Sequence, residues 1–270
     1  MLLCVIINCK KCFANGYSVG NDTRKAVVDG WPVENVIASD LRQGVSFPPS
    51  FDLDRRSSKC LKGFWDYGHE LFNSTPETLP AAFIPGDIFD PALLAPRGAY
   101  LSVSDIASVL SHEGSTLPPL NTLTSLTPLQ GKISAIHASA FFHLFSEKRQ
   151  LALAHLVASL LPPEPGSVIF AQHGACPVKG FRVEGLSQAT LDKAKAEGKF
   201  LSEFSMFCHS PESWRKLWVE DVFGGTDGKG EERVKVDAEL KLVVRRDLIE
   251  NGVDPELSKF WVMNWCITRL

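Results

Sequence analysis

Two acids close successive short apolar runs in this chain. Asp40 ends ENVIASD (34–40), with Leu41 next, and Asp87 and Ile88 stand near the end of AAFIPGDIFD (81–90). Gly20-Asn21-Asp22 precedes a helical pattern, and His137, with Ala138 and Ser139, closes GKISAIHAS (131–139). If the apolar runs are strands of an open parallel sheet, these residues gather at carboxyl ends, where such sheets bind ligands. The set suits an adenine nucleoside. An acid about 20 residues past a glycine loop accepts from both ribose hydroxyls, and Asp40 lies 18 residues after Asp22. Asp87 can accept from the adenine amino group, while Leu41 and Ile88 flank the ring. Gly20, without a Cβ, lets the backbone approach the ligand closely.

Each residue also has an ordinary structural reading. A strand-ending Asp is often a turn or cap residue. His137 divides evenly between a pocket wall and a core histidine. His209, with Glu212 and Trp214, can face a substrate cleft, but helix capping explains the same setting. His143 near a helix start reads as structural, and Phe141-Phe142 as core. Nucleophile elbow, Walker loop, zinc-protease helix and paired glycosidase carboxylates are all absent from the sequence, as is a full G-x-G-x-x-G dinucleotide fingerprint.

The elements that must position these residues alternate between strand and helix over most of the chain, which predicts a parallel α/β sheet. FWDYGHELFN (64–73) places Phe64, Tyr67, Leu71 and Phe72 on one helical face, and LSVSDIASVLSHEG (101–114) is helical. Ser146 caps a helix whose apolar face is Leu153, Leu156, Val157, Leu160 and Leu161, stopped by Pro162-Pro163. GSVIFAQHG (166–174) is the next strand. Ser210 and Pro211 open a helix with Trp214, Leu217, Trp218 and Val222 buried. ERVKVDAELKLV (232–243) and WVMNWCITRL (261–270) alternate like antiparallel edge strands. One domain over 1–270 is expected.

Composition narrows the class. A hydrophobic fraction of 44% and a charged fraction of 22% suit a globular protein with a real core. The net charge of −3 argues against a nucleic-acid partner. No apolar run is long enough to span a bilayer, and the start lacks signal-peptide features. The expected location is cytoplasmic. Seven cysteines, an odd number without a disulfide pattern, read as reduced thiols. Cys9-x-x-Cys12 has no second pair, so no metal is expected.

Several blocks in fixed order carry a family resemblance: GNDTRKAVVDGWPVENVIASDLR, GHELF, GDIFD, IHASAFFHLFSEKRQLALAHLVASLL, GSVIFAQHG and MFCHSPESW. Together they resemble the fungal class I S-adenosylmethionine-dependent methyltransferases of meroterpenoid and related natural-product biosynthesis. The match runs from about Gly20 to the C-terminus, apart from 44–63. The resemblance implies a seven-stranded Rossmann-like sheet, mostly parallel, with an antiparallel C-terminal hairpin. It implies S-adenosylmethionine as cofactor and methyl transfer to a carboxylate or hydroxyl oxygen of a small molecule. Carried over by position, Asp40 binds the ribose, Leu41 flanks the adenine, Asp87 and Ile88 hold it, and His137 lies beside the cofactor. For a phenolic acceptor, His137 or His209 is the candidate base. A homodimer is expected by analogy with the family.

Two segments depart from the family pattern. MLLCVIINCKKCFANGYSV (1–19) stands where a strand, an acid and a Gly-rich turn belong; Leu2 to Ile7 can serve as the strand, but CKKCFANGYS is not a glycine cradle. The resemblance also implies a helical segment ahead of this strand, and the residues before Leu2 are not expected to supply it. GVSFPPSFDLDRRSSKCLKG (44–63) has no period and reads as a disordered insertion. One cause is a hypothesis for both: each is translated intron. GVS after Gln43 reads as a donor site, and FANGYSV can encode a branch point and acceptor just before GNDTRK. Absence of splice consensus in the gene sinks this idea. An incomplete loop leaves a rival function, a non-catalytic protein that keeps the fold but has a defective cofactor site.

Overall fold

The computed structural model describes residues 3–8, 21–40, 64–110, 118–182, 206–250 and 258–270, with isolated positions at 192, 196, 197, 252 and 255. Seven strands form one sheet. They are β1 (Leu3–Asn8), β2 (Val36–Asp40), β3 (Ala82–Pro85), β4 (Ala135–His137), β5 (Val168–Ala175), β8 (Val234–Val244) and β9 (Lys259–Arg269). Two short strands, β6 (Gly180–Phe181) and β7 (Phe207–Cys208), pair separately. The sheet order is β3-β2-β1-β4-β5-β9-β8. β1 to β5 are mutually parallel, while β9 runs antiparallel to both β5 and β8. This is the Rossmann-like class I methyltransferase sheet that the family resemblance implies.

β1 lies between β2 and β4, with Asn8 opposite Asp40 and Ile6 opposite His137. The run read as a substitute strand thus holds the central sheet position. Residues 9–19 and the whole 44–63 segment fall outside the described residues.

Chain order and apolar period account for most elements. Helix α1 (Asn21–Val28) precedes β2, and α2 (Phe64–Leu71) precedes β3. After β3 come α3 (Val103–Leu110), β4, and α4 (Glu147–Leu160). In α4 the predicted face is buried at Leu153, Leu156, Val157 and Leu160. Ser146 has extended N-cap geometry, and its carbonyl accepts from Gln150, but its side chain makes no cap bond. The α2 face differs from expectation: Leu71 is 67% exposed and Phe72 42%. A helical period says which residues share a face, not whether a neighbour covers it. Trp65 instead stacks on Phe83 of β3 at 5.1 Å, and the Arg24 guanidinium lies 4.8 Å from the Phe72 ring centroid.

The C-terminal hairpin corrects another detail. β9 is not an edge strand: it lies between β5 and β8, and of the two hairpin strands β8 alone is at an edge. β8 keeps its solvent side polar, with Lys235, Asp237, Glu239 and Lys241 exposed. Charged side chains on an edge discourage pairing with another chain. None of the described helices is long and apolar enough to cross a membrane.

α5 (Pro211–Lys216) opens with a full capping box: Ser210 Oγ accepts from the Ser213 amide, and Ser213 Oγ accepts from the Ser210 amide. Pro211 at the first turn loses no bond there. The helix runs into one wider π-type turn, Leu217–Val222, with Leu217, Trp218, Val219 and Val222 buried. Gly230 packs against that turn. A Cβ at Gly230 would overlap the Val219 carbonyl oxygen, a backbone atom that cannot swing aside. Gly230→Ala is therefore expected to lower unfolding free energy by about 2 kcal/mol. Urea titration checks this, and an unchanged midpoint rejects it.

Candidate functional site

The parallel register sets the site. Asn8 of β1 faces Asp40 of β2, and Asp40 faces Pro85 of β3, so three strand ends come level. Asp40 is only 8% exposed, and its backbone carbonyl accepts from the Gly86 amide at 2.8 Å. Gly86 allows a close turn, since a Cβ there would meet the Leu93 side chain at 2.9 Å. Asp87, next in the chain, is exposed. One carboxylate oxygen accepts from the Phe89 amide at 3.0 Å, so the ordinary turn role operates at this position. Ile88 is 6% exposed and belongs to the main core, so little of its surface is open to a ligand. Gly20 and Leu41 lie outside the described residues.

Beside this corner, His137 at the end of β4 is clamped from both sides. Its Nδ1 lies 3.6 Å from a carboxylate oxygen of Asp22, in the first turn of α1. Its Nε2 lies 2.7 Å from Ser139 Oγ, which accepts from the Gln172 amide at 3.0 Å. The tautomer that suits both neighbours carries the proton on Nδ1, facing Asp22, and accepts from Ser139 at Nε2. Phe170 of β5 packs on the ring at 5.1 Å. Burial lowers the His137 pKa, and the Asp22 charge opposes that shift. His137 is therefore a neutral, oriented ring at neutral pH. Asp22 and His137 are 115 residues apart in sequence, and the β1–β4 pairing brings them together.

His209 is elsewhere. It is 4% exposed, its Nδ1 is 2.9 Å from Ser213 Oγ, and its Nε2 is buried without a hydrogen-bond partner. Its ring lies 5.3 Å from Phe207 and 5.4 Å from Trp214. Trp214 in turn packs on His173 at 4.8 Å and Trp265 at 4.9 Å. Trp265 Nε1 donates to His173 Nδ1 at 3.0 Å, and the Gly174 amide donates to His143 Nδ1 at 3.3 Å. His143, His173 and His209 thus share one aromatic core. Alternation along β5 places His173 on the opposite face from Phe170 and Gln172. The two candidate bases, His137 and His209, therefore sit in different surroundings.

Burial dominates the titration of this cluster. The His143 pKa falls to about 4 through burial and then the nearby Arg182 charge. His209 falls to about 4 through burial, with Glu147 opposing and Lys179 assisting. His173 falls well below its usual value through burial and its two histidine neighbours. The sequence signalled none of this grouping, because its members come from three separate segments. The apolar spacing of Trp214 and Trp218 was the available clue to a core there.

Sequence comparison finds relatives among fungal methyltransferases. No family model matches it. It is 28% identical over 212 residues to O-methyltransferase phiE of Fungal sp. (strain ATCC 74256), covering 78% of this chain and 49% of that protein. It is 25% identical over 205 residues to methyltransferase trt5 of Aspergillus terreus, covering 76% and 50% respectively. Against the asnovolin E/chermesin D methyltransferase nvfJ of Aspergillus novofumigatus, identity is 26% over 215 residues, covering 80% and 54%. The chain spans about half the length of the curated relatives it matches. By sequence this chain is a relative of fungal methyltransferases, and its sheet is the class I, Rossmann-like one.

Proposed function

We propose that this chain is the catalytic part of an S-adenosylmethionine-dependent O-methyltransferase. Its acceptor is a carboxylate or hydroxyl of a small secondary-metabolite intermediate such as a meroterpenoid. The observation that carries this reading is the placement of Asp40 and His137 at the carboxyl ends of β2 and β4, on either side of β1, with Asp22 of α1 beside His137, in a chain whose relatives are named methyltransferases. The residues fit an adenosyl cofactor. Asp40 offers a nearly buried carboxylate for the ribose hydroxyls, and Asp87 an exposed one for the adenine amino group. His137 offers an oriented apolar edge beside them.

When bound, S-adenosylmethionine supplies a methyl group on a sulfonium that is already a good leaving group. The protein's share is alignment of the acceptor oxygen with that methyl, which is proximity catalysis. A carboxylate acceptor arrives ionised and needs no base; a hydroxyl acceptor needs one. Both nitrogens of His137 are engaged, by Asp22 and Ser139. His209 is a weak base, with a pKa near 4. This balance favours the carboxylate. A cytoplasmic location and a homodimer belong to the same reading, by analogy with the family.

Isothermal titration of the 270-residue chain with S-adenosylmethionine tests the proposal. One saturable site is expected, with S-adenosylhomocysteine competing for it. Absence of binding at millimolar ligand rejects the enzyme reading and returns the non-catalytic one.

A further inference from the structure

The Arg182 guanidinium lies beside Gly174, near the carboxyl end of β5. The residue follows β6, and its amide donates to the Met206 carbonyl at 2.8 Å, so the backbone is anchored. Its guanidinium carbon lies 4.7 Å from the Phe260 ring centroid. Its Nη1 lies 3.8 Å from the Cβ position of Gly174, and the His143 ring touches the same point. Its Nε is buried with no hydrogen-bond partner. Among the described residues no carboxylate pairs with it, whereas Arg215 pairs with Glu231 and Arg233 with Asp227. The Nε is closed to a ligand, as it is in Arg24, Arg97 and Arg269, whereas the Nη nitrogens are not buried and make no hydrogen bond among the described residues, so they are the donors a carboxylate can reach.

Its place in the fold points the same way. Gly174 and Phe170 lie on one face of β5 by alternation, and Phe170 packs on His137. Four residues of strand separate them, about 13 Å. That is within the span of a small-molecule acceptor. Gly174 itself adds no side chain there, and the His143 ring packs at the same point as the guanidinium.

We infer that Arg182 is the specificity-determining residue for the acceptor: its guanidinium binds a carboxylate of the small molecule and orients it over the β4–β5 end of the sheet. This rests on the methyltransferase reading for what the acceptor then undergoes, but not for the binding itself. The contact is a bidentate ion pair that Lys reproduces in charge and not in geometry.

The test uses the full chain and two probes of matched shape, naphthoate and naphthyl methanol, followed by isothermal titration. Wild type is expected to prefer naphthoate by about tenfold. Arg182→Gln should weaken naphthoate by about tenfold, and Arg182→Lys by about threefold. Naphthyl methanol and S-adenosylhomocysteine should bind both variants as they bind wild type. Unchanged naphthoate affinity in R182Q overturns the inference, as does failure of wild type to bind naphthoate. A parallel loss of both probes also overturns it. If R182Q does not fold by circular dichroism, Arg182→Met replaces it, and equal wild-type affinity for the two probes is then decisive against the site. Arg182-dependent naphthoate binding without any S-adenosylhomocysteine binding removes the methyltransferase reading and leaves the anion site standing.

Discussion

Asp40→Asn is expected to weaken S-adenosylmethionine binding about 100-fold in a variant that still folds. Asp40 ends β2 level with Asn8 and Pro85, and its side chain is 8% exposed. An ionised carboxylate accepts from two ribose hydroxyls at once. Hydrogen bonds to charged groups contribute about 1.5–3 kcal/mol each. Asn removes the charge and turns one acceptor into a donor that faces a hydroxyl. Loss of about 3 kcal/mol corresponds to about two orders of magnitude in Kd. The backbone pairing of β2 does not use this side chain, so the sheet should persist. Titration calorimetry reads the Kd, and a thermal melt checks the fold. An unchanged Kd in a folded variant would remove Asp40 from the ribose role.

The second large effect is acid destabilisation between pH 6.5 and about 4. His143 and His209 both have folded pKa values near 4, against 6.5 when unfolded. In that window the unfolded chain binds protons that the folded chain refuses, so unfolding free energy falls as pH falls. The stability is fully present above pH 6.5 and fully lost below about 4. A shift of this size is about 3 kcal/mol per histidine. His143 and His209 each act on the buried His173, so their contributions are not independent and the total is on the order of 3–6 kcal/mol. Asp227 acts in a separate, lower window. Its hydrogen bonds with Arg233 lower its pKa to about 2, so its share is lost only below the usual carboxylate range. Urea midpoints from pH 8 to 4 test this. His209→Gln should flatten part of the slope. A stability profile level from pH 6.5 down to 4.5 contradicts the buried-neutral assignment.

The comparison of sequence with structure turns on particular elements. Capping chemistry at Ser210 and Pro211 and the apolar face of α4 are local. Each is decided by residues a few positions apart, so each was legible. Alternation in 232–243 and 261–270 announced two strands, but not that β9 lies inside the sheet. Around α2, spacing grouped Leu71 and Phe72 on one face, yet Leu71 is exposed and Phe72 is covered only in part, by the Arg24 guanidinium. The ordinary and functional readings of Asp87 could not be separated by sequence; the Phe89 contact shows the turn role in operation.

By itself, the sequence determined the kind of protein. Strand–helix alternation, acids at successive strand ends and an ordered set of family-like blocks specify a parallel nucleotide-type sheet, because these signals are local and periodic. Tertiary structure alone decided which residues meet. Parallel pairing of β1 with β4 brings Asp22 to His137, and alternation on β5 puts His173, with Trp214 and Trp265 packed on it, on the opposite face from Phe170. It also brings the Arg182 guanidinium up to Gly174, with no carboxylate paired to it among the described residues. Such meetings depend on register and on the pleat of a strand, where one residue of shift exchanges the two faces. No spacing within a single segment carries that information.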